Sequence, residues 1–155
     1  MSNPFQVKPI GHVRSARAQP IDDAWDRVSV HIDLDPDQFA PEALAGLDSF
    51  SHAEIIFLFD QVPDKKIVTG ARHPRGRTDW PKAGIFAQRG KNRPNRIGLT
   101  ICEVLSVDGL RLHLKGLDAI DGMPVLDIKP VMSGFQPRGG IREPEWAKEI
   151  MATYW

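Results

Sequence analysis

The 155-residue chain lacks several sequence features that would assign it directly to a class of proteins. It contains one cysteine, Cys102, which excludes an internal disulfide framework and is usual in a reducing compartment. No apolar run approaches the length of a membrane span, and the first residues show no basic segment followed by an apolar one. We therefore expect a cytoplasmic protein with no membrane partner.

Motifs of the common nucleotide, hydrolase and metal sites are also missing. The sequence has no G-x-S-x-G elbow, no P-loop and no G-x-G-x-x-G segment. Its five histidines are scattered, and none stands in an H-x-x-x-H context. The acids of residues 117–130 lack the D-x-D-x-D-G spacing of a calcium loop, and we expect no metal site.

A formal net charge of zero hides a strong asymmetry along the chain. Residues 22–64 contain eleven acids and one base, Arg27, whereas residues 65–96 contain ten bases and one acid, Asp79. Such a basic segment attracts phosphate groups, and an acidic neighbour pairs with it or restricts where phosphates bind. The charge pattern is therefore compatible with a nucleic-acid partner.

Short apolar runs of β character dominate the secondary-structure signals. Residues 28–34 alternate between apolar and polar, and residues 53–59 form a continuous apolar run typical of a strand covered on both faces. Residues 97–114 consist of two apolar runs around Asp108 and Gly109, which predicts a hairpin with a type I′ turn at this pair. Residues 5–14 and 125–131 supply two further strands.

Helical signals are few and short. Residues 41–47 predict a helical turn, and residues 144–154 predict a C-terminal helix that begins behind a proline. With 41% hydrophobic residues the chain can bury one core, and it shows no strand–helix–strand alternation. We expect one mainly β domain over residues 1–155, a small antiparallel β-barrel with short helical turns and a C-terminal helix.

Residues 84–100, GIFAQRGKNRPNRIGLT, form the first candidate site. Four bases, Arg89, Lys91, Arg93 and Arg96, stand between two apolar strands, together with glycine, proline and asparagine. Arginine binds carboxylate or phosphate with two parallel hydrogen bonds. A rigid, donor-rich turn favours ligand binding, and the alternative is a solvated basic loop.

Residues 117–130, LDAIDGMPVLDIKP, form the second candidate site. Asp118, Asp121 and Asp127 lie close together around a turn that Gly122 and Pro124 shape. The aspartates could accept hydrogen bonds from ligand hydroxyls or amines. From the residues alone, the favoured interpretation is that they bind backbone amides in turns.

Four segments in the same order resemble the TsaA-like family, to which the TrmO (YaeB) tRNA methyltransferases belong. They are PIGHVRS at residues 9–15, GLDSFSH at residues 46–52, the 84–100 segment and LDAIDGMPVLDIKPV at residues 117–131. The third corresponds to the family pattern GVFATR-S-x-x-RPNPIGLS, and the fourth to LDLxDGTPVLDIKPY. The resemblance covers most of the chain.

This resemblance implies a β-barrel homodimer that holds S-adenosyl-L-methionine near the subunit contact. It also implies a methyltransferase that acts on the exocyclic amine (N6) of threonylcarbamoyl-adenosine in the tRNA anticodon loop. Motif matching assigns the cofactor contacts to Gln19, Pro20, Trp25, Asp60, Gln61, Arg89, Arg93, Asn95, Leu99, Asp118, Ala119, Ile120, Asp121 and Gly122. The basic segment supplies the expected RNA contacts, which are Lys65, Lys66, Arg72, Arg75, Arg77, Lys91 and Arg96. No residue stands out as a general base.

The sequence departs from the family pattern at several positions. Gly90 to Asn92 replace its serine-containing turn, Arg96 replaces its second proline, Met123 its threonine and Val131 its last tyrosine. Two alternatives therefore stay open. One is a non-catalytic protein that binds S-adenosylmethionine in regulation, and the other is an RNA-binding barrel with a vestigial cofactor site.

Overall fold

The computed structural model describes residues 2–155. Its elements are β1 (Gly11–Ser15), β2 (Val30–Leu34), β3 (His52–Leu58), β4 (Ala71–Arg72), β5 (Ala83–Gly84), β6 (Ile97–Asp108), β7 (Arg111–Lys115), β8 (Pro124–Pro130) and α1 (Glu145–Met151). Six strands close an antiparallel barrel in the order β1-β2-β7-β6-β3-β8, and β4 pairs with β5 alone. Eight 3₁₀ turns connect these elements. The expected mainly β barrel with short helical turns and a C-terminal helix is confirmed.

The barrel core follows from alternation along the strands. In β2, Val30, Ile32 and Leu34 are buried, whereas the residues between them are half-buried on the outer face. The register places Ile32 between Val13 of β1 and Leu112 of β7, and all three are fully buried. Burial of each such side chain contributes roughly 1.5–3 kcal/mol. Closure of the sheet also leaves none of its six strands with a free edge.

Strand β3 differs from the expectation of a strand covered on both faces. Ala53, Ile55 and Phe57 are buried, but Ile56 and Leu58 on the other face are only half-buried. A barrel wall has one face toward the core and one toward solvent, so a continuous apolar run here leaves apolar surface outside.

The hairpin between β6 and β7 is present, but the prediction of a type I′ turn at Asp108 and Gly109 is wrong. Asp108 ends β6 and pairs with Arg111, so the two-residue loop consists of Gly109 and Leu110. Of these two residues, Gly109 alone has a positive φ, 58°. A glycine of positive φ at the first loop position alone is the pattern of a type II′ turn rather than of type I′. Strand β6 also contains an irregularity between Val104 and Ser106 that shifts its register against β7.

The first strand is shorter than predicted. Residues 2–10 form no regular strand, and β1 begins at Gly11. A Cβ atom at this position would lie 2.9 Å from the Cα of Leu34 and closer still to the carbonyl oxygen of Asp33. Glycine is therefore required where β1 and β2 approach each other.

The long segment that follows β3 has a defined course with its own small core. It contains 3₁₀ turns at Asp64–Lys66 and Pro74–Gly76 and the β4–β5 pair. Pro74, Trp80 and Ile85 are buried beneath it. The indole Nε1 of Trp80 donates a hydrogen bond of 2.6 Å to Glu149 of α1, so the helix holds this segment against the molecule.

The segment that follows α1 returns to the start of the chain. The backbone N–H groups of Ala24 and Trp25 donate to the carbonyl oxygens of Thr153 and Tyr154, at 3.1 and 3.0 Å. The helix itself spans Glu145–Met151, within the predicted range of residues 144–154. Among residues 2–155, no helix has both the length and the apolar character needed to cross a membrane.

Candidate functional site

The predicted cofactor residues fall into two groups, which we call the strand group and the turn group. The strand group surrounds the end of β3 and the start of β6, where the N–H of Phe59 donates 2.8 Å to the carbonyl of Arg96. It contains Asp60, Gln61, Arg89, Arg93, Asn95 and Leu99. The turn group surrounds the end of β1 and the approach to β8, and contains Gln19, Pro20, Trp25, Asp118, Ala119, Ile120, Asp121 and Gly122.

Arg89 is the exposed cation of the strand group. Its guanidinium donates a hydrogen bond to the carbonyl oxygen of Leu99, which lies on the outer face of β6. The guanidinium has five N–H donors, so this bond leaves donors for a carboxylate or another polar group. Asp60 and Gln61 are exposed in the turn that follows β3.

Arg93 and Asn95 shape the turn that leads into β6. Arg93 Nη1 donates 2.7 Å to the carbonyl oxygen of Gln88, and Asn95 has a left-handed backbone with φ 61°. Gln88 is 7% exposed, and its side-chain amide donates to the carbonyl oxygens of Arg72 and Ala83. Sequence reasoning missed Gln88, because one glutamine in a basic segment gives no signal of burial.

Gly90, one of the positions where the sequence departs from the family pattern, lies against the side chain of Arg72. A Cβ atom at Gly90 would collide with the guanidinium of Arg72, which fills the space beside the glycine backbone. Within residues 2–155, Arg72 Nε and Asn92 Oδ1 are the buried side-chain polar atoms that have no hydrogen-bond partner. Arg72 is therefore a half-buried cation rather than a freely exposed one.

Most of the turn group is built into the barrel. Asp121 Oδ1 accepts the N–H of Ser15 at 3.0 Å, and the N–H of Gly122 donates 2.8 Å to the carbonyl of Val13. Ala119 and Ile120 are buried in the core. Asp121 thus binds a backbone amide, as the residues alone predicted, and a ligand would meet mainly the backbone of this turn.

In contrast to Asp121, Asp118 accepts hydrogen bonds from side chains at both of its carboxylate oxygens. Thr100 Oγ1 donates to Oδ1 and Tyr154 Oη donates to Oδ2. Burial, and next the charge of Asp118, raise the pKa of Tyr154 well above its usual range, so the phenol remains a donor. The sequence alone predicted neither Thr100 nor Tyr154 as a site residue. Tyr154 stands out in the sequence only as the single tyrosine of the chain.

The remaining turn-group residues lie beside an open groove. Ala16, Arg17, Gln19, Ile21 and Arg27 line a groove of about 350 Å³. Pro20 is exposed in the same loop, whereas Trp25 is 5% exposed and packs in the core.

The guanidinium of Arg17 lies 4.3 Å from the ring centre of Trp25, and the indole N–H donates 3.2 Å to the carbonyl of Asp22. Trp25 stays a predicted cofactor contact, but it has the environment of a core residue.

A side-chain hydrogen bond links strand β6 to the turn group. Thr100 is buried on the inner face of β6, directly after the exposed Leu99, and it holds Asp118. Within the described part of the chain, no group of three or more His, Cys, Asp or Glu side chains is placed to hold a metal ion.

The predicted RNA contacts differ in their charge environment. Lys65, Lys66 and Lys91 are exposed and belong to none of the ion pairs found within residues 2–155. The arginines Arg75, Arg77 and Arg96 pair with Asp23, Asp79 and Asp64, respectively. Asp23 and Asp64 belong to the acidic segment, so the two segments neutralise each other at Arg75 and Arg96, whereas Arg77 pairs with the one acid of its own segment.

Comparison with known proteins decides the family. Residues 13–136 match the family model of the tRNA-methyltransferase O N-terminal domain. The chain belongs to this family. The match includes both the strand group and the turn group, so the two candidate segments lie inside the family domain.

Curated relatives and a solved structure agree with this family. The chain is 37% identical over 102 residues to the Homo sapiens tRNA (adenine(37)-N6)-methyltransferase, which is 66% of this chain and 23% of that protein. It is 36% identical over 132 residues to the putative S-adenosylmethionine-dependent methyltransferase RcsF of Pseudomonas aeruginosa, which is 80% of this chain and 53% of that protein.

A crystal structure of TrmO superposes with a TM-score of 0.75 at 29% identity, over 94% of this chain and 63% of that one. The chain thus spans less than two thirds of each of these three proteins.

Proposed function

We propose that this family domain is an S-adenosyl-L-methionine-dependent methyltransferase that modifies tRNA. Its acceptor is the N6 amine of threonylcarbamoyl-adenosine in the anticodon loop. The observation that carries the proposal is the Thr100–Asp118 hydrogen bond, which joins the two segments that match the family pattern. The names of the human and Pseudomonas aeruginosa relatives support the same activity.

The side chains of the two groups fit the chemistry of this cofactor. S-adenosylmethionine carries a carboxylate, an ammonium group, ribose hydroxyls and an apolar adenine face. Arg89 offers N–H donors for the carboxylate, and the exposed carboxylate of Asp60 suits the ammonium group. Asp118 accepts hydroxyl donors in this structure already, and Leu99 supplies exposed apolar surface.

The methyl group of the bound cofactor is already activated, so the cofactor supplies the reactive centre. The work left to the protein is to orient the two reactants and to exclude water. Arg89 and Asp118 orient the cofactor, and the turn of residues 118–122 supplies backbone groups that bind it. An adenine amine is neutral at physiological pH, so the proposed reaction needs no strong base before transfer.

The acceptor RNA binds to the basic face of the domain. Lys65, Lys66 and Lys91 hold phosphates, because they are exposed and carry no acidic partner within residues 2–155. A single-stranded loop allows the target adenine to leave the stack and to reach the cofactor. Arg75, Arg77 and Arg96 contribute once RNA phosphates replace their carboxylate partners.

The protein acts as a homodimer in the cytoplasm, where the tRNA is. The outer face of β6 has four exposed apolar side chains, Ile97, Leu99, Ile101 and Leu105, between 43% and 57% exposed. We call these four residues the β6 stripe. An apolar stripe of this kind is typical of an interface, and Leu99 places it beside the strand group. A second copy on the β6 stripe would cover the cofactor residues on that face.

Calorimetric titration with S-adenosylmethionine tests the proposal, with the Arg89→Ala variant beside the wild type. We expect binding by the wild type, weaker binding by the variant, and methyl transfer to tRNA that carries threonylcarbamoyl-adenosine. Binding without transfer to any tRNA would favour the non-catalytic alternative, for which the replacement of the family tyrosine by Val131 is the sequence argument. RNA binding without cofactor binding would favour the vestigial-site alternative.

A further inference from the structure

The carboxylate of Asp118 is fixed by a residue that lies 36 positions away in the sequence. Tyr154 Oη donates to Oδ2, and Thr100 Oγ1 donates to Oδ1. Both donors are neutral hydroxyls, so they fix the direction of the carboxylate without cancelling its charge. Each oxygen has a further lone pair and can still accept a hydrogen bond from a ligand.

The segment that carries Tyr154 is itself held in place. Its carbonyl oxygen and that of Thr153 accept hydrogen bonds from the backbone of Trp25 and Ala24, at 3.0 and 3.1 Å. The Trp155 ring stacks edge-on against Tyr154, with 4.8 Å between ring centres. The phenol is therefore positioned by its backbone and by its neighbour before any ligand arrives.

We propose that Tyr154 is a positioning residue for cofactor binding, which acts by orienting the carboxylate of Asp118. The inference rests on the proposed function, because it takes Asp118 as a cofactor contact. It adds a residue outside the matched family segment, which ends at residue 136. Tyr154 touches Asp118 and not the cofactor.

The Tyr154 hydroxyl lowers the entropic cost of ordering the Asp118 carboxylate when a ligand binds. A half-buried carboxylate with one hydroxyl donor can rotate, and a ligand must then stop this rotation when it binds. Two donors at fixed positions remove that cost beforehand. The raised pKa of Tyr154 keeps its proton on the phenol at neutral and mildly alkaline pH, so the second donor is present wherever the protein works.

The test is calorimetric titration of the full chain with S-adenosylmethionine, for the wild type and for Tyr154→Phe. Phenylalanine keeps the ring and its stacking on Trp155 and removes only the hydroxyl. We expect the Kd to rise up to about tenfold, the size of the cost of immobilising one side chain, with an unchanged number of sites per chain. In steady-state kinetics the KM for the cofactor should rise while kcat at saturation is kept.

Thr153→Val is the matched control, because it removes one exposed hydroxyl from the neighbouring residue of the same segment. It should bind like the wild type, and both variants should show cooperative thermal unfolding. An equal Kd for Tyr154→Phe and the wild type would overturn the inference and leave the proposed function standing.

Tighter binding by Tyr154→Phe would mean that the phenol competes with the ligand, and fewer sites at an unchanged Kd would mean a purely structural role. Either result overturns the inference. No binding by the wild type would overturn the proposed function and this inference together.

Discussion

Trp80 and Glu149 join two parts of the chain that are 69 residues apart. The indole N–H donates 2.6 Å to the carboxylate, and the Arg77 guanidinium lies 3.9 Å from the centre of the same indole ring. Trp80 is 5% exposed, so its N–H needs a partner. Through this contact α1 stabilises the segment that carries Arg75 and Arg77, two of the predicted RNA contacts.

Glu149→Leu should therefore destabilise the protein, because it leaves a buried indole N–H without its acceptor. Glu149 itself is exposed, so we expect a loss of about 1 kcal/mol in the free energy of unfolding. This value is at the low end of the cost of leaving a buried N–H without an acceptor. For a chain of this size the loss lowers the Tm by about 2–4 °C in calorimetry. Glu143→Leu, at an exposed site just before α1 that belongs to no ion pair found within residues 2–155, is the control. Equal Tm values for the two variants would contradict the role of the Trp80 contact.

Gly11→Ala should be more damaging than its size suggests. The added methyl group would lie within 3 Å of the backbone of both Asp33 and Leu34, and neither can move without opening the β1–β2 pair. We expect a loss of about 3 kcal/mol in the free energy of unfolding, measured with urea. Gly70→Ala has nothing within 4 Å of the new atom and should be close to neutral. If Gly11→Ala unfolded at the same urea concentration as the wild type, strands β1 and β2 would be able to separate at this position without cost.

Local patterns predicted the strands well, because alternation acts over a few residues. The buried positions Val30, Ile32 and Leu34 could be read directly from residues 28–34, and the Asp108–Gly109 pair located the hairpin to within one residue. The irregularity in β6 between Val104 and Ser106 was not predicted, because no residue type indicates it.

The long-range contacts could not be predicted in this way. The bonds from Tyr154 to Asp118 and from Trp80 to Glu149 depend on how the closed barrel folds the chain back on itself. Motif matching gave candidate residues for the site, but it could not show that Trp25 is in the core. It also could not show that Asp118 already has two hydroxyl partners.

Alkaline pH should destabilise the fold through Tyr154. Burial and the Asp118 charge raise its folded-state pKa above the ordinary value of about 10, while nearby Arg75 acts in the opposite direction. This contribution to stability is present in full below pH 10 or so and is lost as the pH rises further, because the unfolded chain then releases the proton.

The single tyrosine makes this measurable, since phenolate absorbance in the near ultraviolet reports on Tyr154 alone. We expect phenolate to form together with loss of the near-ultraviolet circular dichroism. Tyr154→Phe should show a shallower loss of stability above pH 10 than the wild type. Ionisation of Tyr154 near pH 10 in a protein that is still folded would contradict the buried contact with Asp118.

RNA affinity should depend on the exposed lysines more than on the paired arginines. Lys91→Ala should weaken binding of a tRNA anticodon stem-loop and reduce the slope of log K against log salt by about 0.7 for one lost contact to a single strand. Arg77→Ala should change the slope less, because its guanidinium already pairs with Asp79 through Nε at 3.0 Å. Fluorescence anisotropy over a series of salt concentrations measures both slopes. Equal slopes for the two variants would show that the Arg77–Asp79 ion pair opens without cost.

The β6 stripe should control the oligomeric state. Leu105→Glu places a charge at the most exposed of its four side chains, which is 57% exposed, and should convert a dimer into a monomer in sedimentation experiments. His12→Glu, exposed on β1, which lies opposite β6 in the barrel order, adds the same charge away from the stripe and should leave the dimer intact. If the site needs both copies, Leu105→Glu should also weaken cofactor binding, although residue 105 lies outside the strand group. A wild-type protein that stays monomeric at high concentration would contradict the dimer, and the cofactor residues of one chain would then have to bind on their own.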